Sequence, residues 1–192
     1  MHAEPDTKHT LQRSVALATE LIPNCHYAGI SMVHRNGTID TPAATHELVN
    51  RGDELQYALG EGPCLDAIWH YDTVISANLA EEDRWTTWAP RVAAELNIHS
   101  MLALRLFTST ELVGGLNLYS KDIDAFDEDD AYTGTYLAAQ IAVAVAEEQQ
   151  TDSSTAHSTP SCWSACVKTA PPRTTSSVAS PRARPSATSN DA

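Results

Sequence analysis

The residues best suited to chemistry lie in one short stretch, LGEGPCLDAIWH, at residues 59–70. Gly60 and Gly62 can adopt backbone angles closed to other residues, and Pro63 has the φ of a first helical turn. The stretch therefore predicts a loop that opens into a helix, with Cys64 in its first turn. Unpaired N–H groups and the helix dipole favour a thiolate or a bound anion there, unless apolar surroundings seal the thiol. Cys64 is thus either a reactive or ligand-contacting thiol, or the more common small buried residue.

Hydrophobic periodicity predicts the elements that position this stretch. Apolar residues at helical spacing predict a helix from Thr7 to Ile22, and a long Ala-rich helix from about Asp127 to Gln149. Period-two alternation around Asn36-Gly37 predicts a β-hairpin. Further strands are predicted in residues 73–78 and, joined by a turn at 108–110, in residues 99–120. Residues 83–96 predict a helix that starts or kinks at a proline, and residues 45–59 fit a helix or a loop.

Alternation along the strands predicts a sheet with two different faces. One parity is aliphatic and predicts a face covered by the terminal helices; it includes Ala28, Ile30, Met32, Leu102, Leu104, Leu106, Leu112, Leu116 and Leu118. The opposite parity mixes small, aromatic and polar residues. With loops that carry tryptophans above it, this face predicts a small-molecule pocket, and a second helix layer is the alternative. The pocket candidates are Ser31, Val33, Cys64, Trp69, Trp85, Trp88, Met101, Arg105, Asn117 and Tyr119.

Arg105 is the candidate contact for an anionic ligand, since a lone guanidinium on this face needs a partner. A salt bridge to an acid of a neighbouring loop is the equal alternative. No two histidines stand at metal-binding spacing on one predicted helix, so the sequence predicts no metal site. Nothing in the sequence selects a cofactor, which stays unknown.

Composition and charge limit the classes of partner. The chain has 192 residues, and residues 1–150 carry 8 basic and 23 acidic side chains, which disfavours binding to nucleic-acid phosphates. No apolar run reaches membrane-spanning length and no secretory signal pattern is present, so we expect no membrane contact and a cytoplasmic location. In residues 151–192, Ser, Thr, Ala and Pro occupy 29 of 42 positions, which predicts a disordered tail.

Five sequence blocks carry a family resemblance: LGEGPCLDA, DRW, SMLALRLF, GGLNLYS and AFDEDD. In this order and spacing they closely resemble the GAF domains of actinobacterial GAF–ANTAR regulators. The resemblance implies an α+β fold of the GAF/PAS-like type: an antiparallel five- or six-stranded sheet with helices on both sides and packed terminal helices. It divides the chain into an N-terminal arm (1–8), a GAF domain (9–149) and a low-complexity tail (150–192).

The sequence departs from that family where the tail begins. The resemblance implies an ANTAR domain there, a three-helix RNA-binding module that prevents transcription termination. We expect this part to be missing or shifted out of frame, because shifted codons across Pro185 to Asn190 permit Ser-Gln-Arg-Asn-Val-Lys, similar to the third-helix motif of ANTAR domains. RNA binding is expected only with an intact ANTAR domain, and not for this chain.

The resemblance implies a non-catalytic sensory or dimerisation module of a signalling or antitermination regulator, with an unidentified small-molecule ligand. It also implies a homodimer through the terminal helices, for which the candidate residues are Leu11, Val15, Leu137, Ile141 and Val145. The alternative function is a GAF-fold thiol enzyme that reduces free methionine sulfoxide. In that enzyme Cys64 is the nucleophile and Cys25 resolves the oxidised thiol.

Overall fold

The computed structural model describes residues 5–108 and 112–155. The predicted tail lies outside these residues from position 156 onward. The helices are α1 (Pro5–Leu21), α2 (Glu47–Leu59), α3 (Pro63–Trp69), α4 (Trp88–Leu96) and α5 (Glu128–Thr155), with a 3-10 turn at Leu79–Glu81. The strands are β1 (Tyr27–Val33), β2 (Ile39–Ala44), β3 (Thr73–Ser76), β4 (Ser100–Phe107) and β5 (Leu112–Ser120).

The strands form one five-stranded antiparallel sheet in the order β2-β1-β5-β4-β3. This confirms the α+β fold that the sequence predicts. Strands β1 and β5, far apart in the chain, pair in the middle of the sheet with Ile30 opposite Leu116 and Gly29 opposite Asn117. Since side chains alternate along a strand, this register places the two aliphatic residues on one face and Asn117 on the other.

The aliphatic face is covered by α1 and α5, as strand parity predicts. Leu104 and Leu116 lie in one buried cluster together with side chains from both terminal helices. The residues predicted to join two protomers are part of this same cluster, and each is at most 7% exposed in the single chain. That assignment is therefore wrong, because these side chains already pack on their own sheet; they are Leu11, Val15, Leu137, Ile141 and Val145.

The mixed face is covered by α2, α3 and α4, so the second helix layer is the alternative that the structure supports. Trp85 and Trp88 are buried in this layer, with their rings edge to face at 6.1 Å. The indole Nε1 of Trp88 donates a 2.9 Å hydrogen bond to the carbonyl of Gly52 in α2. These contacts fix α4 and α2 to each other above the sheet.

Local sequence explains the helix boundaries that the patterns left open. Helix α2 begins after His46, whose side chain accepts a hydrogen bond from the N–H of Leu48, and ends at Gly60 in the left-handed conformation. Helix α4 begins at Trp88, so that Pro90 lies in its first turn, where proline is tolerated. Helix α5 continues past the predicted end, since residues 150–155 contain neither Gly nor Pro.

Candidate functional site

A buried carboxyl group lies at the centre of the mixed face. Asp53 of α2 is fully buried, and its oxygens accept hydrogen bonds from side chains on two strands and on its own helix. Thr41 Oγ1 donates to Oδ2 at 2.9 Å, and Oδ1 accepts from Asn117 Nδ2 at 3.0 Å and Gln56 Nε2 at 3.2 Å. The hydroxyl of Tyr119 also donates to Oδ1. Asp53 thus connects α2 to β2 and β5.

The hydrogen bonds continue from Asp53 in a closed ring. Asn117 Nδ2 donates to Ser31 Oγ at 2.9 Å, and Ser31 Oγ shares a 2.6 Å hydrogen bond with the hydroxyl of Tyr57. The Tyr57 hydroxyl lies 2.8 Å from Thr41 Oγ1, which returns to Asp53. We call the residues of this network the interior polar cluster; they are Ser31, Thr41, Asp53, Gln56, Tyr57, Cys64, Asn117 and Tyr119.

The glycine-rich stretch brings α3 into this cluster. Gly62 has a φ of +139°, and a Cβ at this position would lie 2.2 Å from Gln56 Oε1, so only glycine fits without strain. Pro63 then starts α3, and Gln56 Oε1 accepts a 2.8 Å hydrogen bond from the backbone N–H of Cys64. The predicted loop-to-helix geometry is confirmed, and the glutamine rather than a ligand satisfies the N–H of Cys64.

Burial shifts the protonation equilibria of the cluster. Desolvation raises the pKa of Asp53 from 3.8 to about 7, although its four hydrogen-bond donors oppose the shift. Burial raises the pKa of the Cys64 thiol to about 12, and the nearby Asp53 carboxyl adds to that shift. Burial likewise raises the pKa of Tyr57 and of Tyr119. Near pH 7 the other titratable groups of the cluster are therefore neutral, and Asp53 is partly ionised.

One polar atom of the cluster has no partner. The Oδ1 oxygen of Asn117 is buried and accepts no hydrogen bond within the part of the chain that the structure describes. A buried acceptor without a donor is destabilising and uncommon in folded proteins.

The structure brings most of the predicted pocket residues together. Trp69 does not join them, since its side chain is 48% exposed at the end of α3. Val33 is half-buried at the margin of the layer and packs against it. Whether these side chains contact a ligand stays a prediction. Those buried in the layer are Ser31, Cys64, Trp85, Trp88, Met101, Asn117 and Tyr119.

Arg105 has partners within the protein. Its Nε donates to the carbonyl of Ala67 at 3.1 Å, and its guanidinium forms a salt bridge of 3.1 Å with Asp72, which precedes β3. This is the loop-acid alternative that the sequence left open. Because the guanidinium is bound to α3 and Asp72, it fastens the end of α3 to β4 instead of facing the cluster.

The two cysteines of the enzyme alternative cannot act as a pair. Cys64 lies in the buried layer under α2–α4, with Sγ 3.3 Å from Ser31 Oγ, whereas Cys25 belongs to the cluster under α1 and α5. The sheet separates them. Burial also raises the pKa of Cys25 to about 12. The assignment of Cys25 as the resolving cysteine for Cys64 is therefore wrong.

Four members of the interior polar cluster are not among the site residues that the sequence predicts: Thr41, Asp53, Gln56 and Tyr57. A usable signal was present for two of them. The buried face of α2 consists of Val49, Gly52, Asp53 and Gln56, which recur at helical spacing. An acidic residue that recurs at the spacing of one helix face indicates a buried carboxyl that needs hydrogen-bond partners. Thr41 and Tyr57 carry no comparable signal.

Within residues 5–108 and 112–155, no group of three His, Cys, Asp or Glu residues is arranged to hold a metal ion. In the same residues, no helix is both long and apolar enough to cross a membrane.

Comparison with known proteins gives a family and a fold. A family model described as GAF domain matches residues 4–146. No curated protein matches the chain significantly. The fold is similar to that of the type II free methionine-R-sulfoxide reductase from Thermoplasma acidophilum, with a TM-score of 0.61 and 19% identity over 74% of this chain and 93% of that chain.

Two GAF domains of other proteins are similarly close. The GAF domain of a phosphoenolpyruvate-protein phosphotransferase from Coxiella burnetii has a TM-score of 0.61 and 18% identity, covering 79% of this chain and 89% of that chain. The blue-light-absorbing form of the PixJ GAF domain from Thermosynechococcus elongatus has a TM-score of 0.58 and 13% identity, covering 79% and 91%. At these identities the likeness concerns the fold alone.

Proposed function

Because the chain belongs to the GAF domain family, we propose that it is a non-catalytic sensory and dimerisation module of a cytoplasmic signalling regulator. The observation that carries the sensory role is the interior polar cluster. A fold that buries the carboxyl group of Asp53 among neutral hydrogen-bond partners gives up stability at that place. Such local costs concentrate at functional sites.

The narrower assignment is to regulators of transcription antitermination. It is supported by the five sequence blocks that resemble GAF domains of GAF–ANTAR proteins. As it stands, the sequence of residues 151–192 shows no three-helix pattern of an ANTAR domain, and it carries only 4 basic side chains. We therefore propose that this chain receives a signal but does not bind RNA. An electrophoretic mobility assay with a terminator-hairpin RNA tests this, and a shifted band would contradict it.

The dimer is proposed on the outer face of α5. This helix has a second apolar stripe, opposite the one that packs on the sheet: Tyr132, Tyr136 and Val143 are 81%, 69% and 49% exposed. Ala139 lies between Tyr136 and Val143, so successive residues of the stripe are four, three and four positions apart, as in the seam of a coiled coil. Exposed stripes of this kind mark protein–protein contacts, and the seam spacing fits a second copy of α5.

Sedimentation equilibrium tests the dimer. We expect the wild-type chain to be a dimer and Tyr136→Glu to be a monomer with unchanged far-UV circular dichroism, because a carboxylate in an apolar seam is unfavourable. Thr133→Glu is the matched control, since Thr133 is exposed about a quarter turn away from the stripe and should leave the dimer intact. A monomeric wild-type chain, or a Tyr136→Glu chain that remains dimeric, would contradict the proposed seam.

The non-catalytic role is tested by turnover. Purified chain incubated with free methionine sulfoxide and dithiothreitol should form no methionine above the buffer control. The physical reason is that the described thiols are buried, that burial raises the pKa of each, and that the sheet separates them. Multiple turnovers that disappear in Cys64→Ser would show a reductase instead.

A further inference from the structure

The interior polar cluster holds its carboxyl group among neutral partners. Asp53 is fully buried, and the groups that donate to it are a threonine, a glutamine, an asparagine and a tyrosine. Among the described residues, the ion pairs are His34–Asp40, Arg84–Glu82, Arg91–Glu95 and Arg105–Asp72, and none includes Asp53. A charge on Asp53 would therefore be buried without a counter-charge, which is unfavourable even with good hydrogen bonds.

The space around Asp53 is filled by side chains. A Cβ on Gly29 would lie 2.4 Å from Cγ1 of Val49 and 3.5 Å from Oδ2 of Asp53, and a Cβ on Gly115 would lie 3.4 Å from Sγ of Cys64. The backbone of β1 and β5 therefore lies directly against α2 and α3. An organic ligand would have to displace these helices, whereas a proton needs no cavity.

We propose that the signal received at this site is the proton: neutral Asp53 keeps α2 packed on the sheet, and loss of its proton loosens that packing. The inference rests on the proposed sensory function and names its signal. The hydrogen bonds of Asp53 cross from α2 to β2 and β5, so water drawn towards a buried charge must enter between these elements. The movable element is α2, since β2 and β5 are held in the sheet.

Among the groups of the cluster, Asp53 is the one whose charge changes near neutral pH. The titratable side chains that face it are Tyr57 on α2, Cys64 on α3 and Tyr119 on β5, and burial raises the pKa of each, so that they stay neutral near pH 7. Strands β1 and β2 contribute hydroxyls that do not titrate, and α4 contributes the indole of Trp88. The pKa of Asp53, raised by burial to about 7, supports a response close to neutral pH.

Trp88 provides the readout. Its indole N–H donates to the carbonyl of Gly52, the residue before Asp53, so movement of α2 changes the environment of that N–H. We would record the indole ¹H–¹⁵N resonances of the full chain from about pH 5.5 to about pH 8.5, a range that brackets the expected midpoint. We expect the Trp88 resonance to shift or broaden through this range in the wild type and to stay constant in Asp53→Asn.

Glu54→Gln is the matched control. It also removes one carboxyl group from α2, but Glu54 is exposed and outside the cluster, so the pH response of Trp88 should persist. A Trp88 resonance that does not respond to pH in the wild type, or that responds equally in Asp53→Asn, would overturn the proposal.

A second measurement needs no variant to fold. The ¹³C resonance of the Asp53 carboxyl in the wild-type chain should titrate with a midpoint of about 7. A midpoint near the ordinary value of 3.8 would overturn the proton as the signal. That result would leave the dimer seam and the absence of turnover unaffected, since those rest on α5 and on the thiols. The two proposals can therefore fail separately.

Discussion

Asn117 Nδ2 donates a 3.0 Å hydrogen bond to Asp53 Oδ1, although the two residues are 64 positions apart in the chain. The bond joins the buried face of α2 to the middle of the sheet. The pairing of β5 with β1 also brings Ser31 Oγ within 2.9 Å of the same Asn117 nitrogen. The position of α2 is thereby fixed by polar contacts as well as by apolar packing.

Stability should depend on pH through Asp53. At very low pH the group is protonated in both states, and its full contribution to stability is present. Between pH 3.8 and about 7 only the folded state keeps the proton. The free energy of unfolding should therefore fall as pH rises through this window, by at most about 1.4 kcal/mol per pH unit, and level off above it.

Urea unfolding of the wild type and Asp53→Asn at several pH values isolates this effect. Subtracting one stability profile from the other cancels the pH-dependent contributions of other groups. One of these is Glu82, whose pKa is lowered to about 2 by its hydrogen bond from Arg84. Glu82 acts in the opposite sense, with stability lost as pH falls. Parallel pH profiles for the wild type and Asp53→Asn would contradict a raised pKa of Asp53.

Asn117→Ala should be strongly destabilising. The substitution removes the donor shared by Asp53 and Ser31 and leaves a cavity among buried polar groups, which we expect to cost about 2–4 kcal/mol in urea unfolding. Asn50→Ala, at a half-buried asparagine of α2 outside the cluster, should change stability by less than about 0.5 kcal/mol. Equal losses at both positions would show that the cluster has no special role in stability.

Gly62→Ala should be more damaging than Gly60→Ala in the same loop. At Gly60 the φ is +70° and nothing lies within 4 Å of a new Cβ, so we expect a loss of about 1 kcal/mol. At Gly62 the φ is +139° and the Cβ would overlap the Gln56 side chain that holds Cys64, so we expect about 2–4 kcal/mol. Thermal or urea unfolding compares the two, and a harmless Gly62→Ala would contradict the described loop.

The described thiols should be unreactive in the folded protein. In a chain carrying Cys162→Ser and Cys166→Ser, only Cys25 and Cys64 remain. Both are buried with a pKa raised to about 12, so an aromatic disulfide reagent at about pH 8 should not modify them until guanidinium unfolds the protein. Rapid modification of one thiol in the folded state would contradict the burial.

Strand parity predicted the two sheet faces correctly because it is a local property. Leu104 and Leu116 fall on the face covered by α1 and α5, and Asn117 and Tyr119 fall on the face covered by α2, α3 and α4, as alternation requires. The same alternation cannot say what covers the mixed face, since a pocket and a helix layer favour similar residues. That distinction depended on α2, whose sequence fits a helix or a loop.

Long-range contacts explain the other differences. Asp53 recurs at helical spacing with the buried Val49 and Gln56, but only the tertiary fold shows which strand side chains donate hydrogen bonds to it. Helix α5 has two apolar stripes, and the sequence cannot tell which one packs on the sheet. The stripe with Leu137, Ile141 and Val145 faces inward, while the stripe with Tyr136 faces solvent. The partner of Arg105 was likewise undetermined until the fold brought Asp72 beside it.

A double-mutant cycle between Asp53→Asn and Tyr119→Phe tests most directly whether the interior polar cluster is one cooperative unit. The hydroxyl of Tyr119 donates to Asp53, and phenylalanine removes that hydroxyl while it keeps the buried ring. Urea unfolding of the four proteins should give a coupling free energy of at least about 1 kcal/mol. Effects that add within about 0.5 kcal/mol would show that the two residues act independently and would contradict the account.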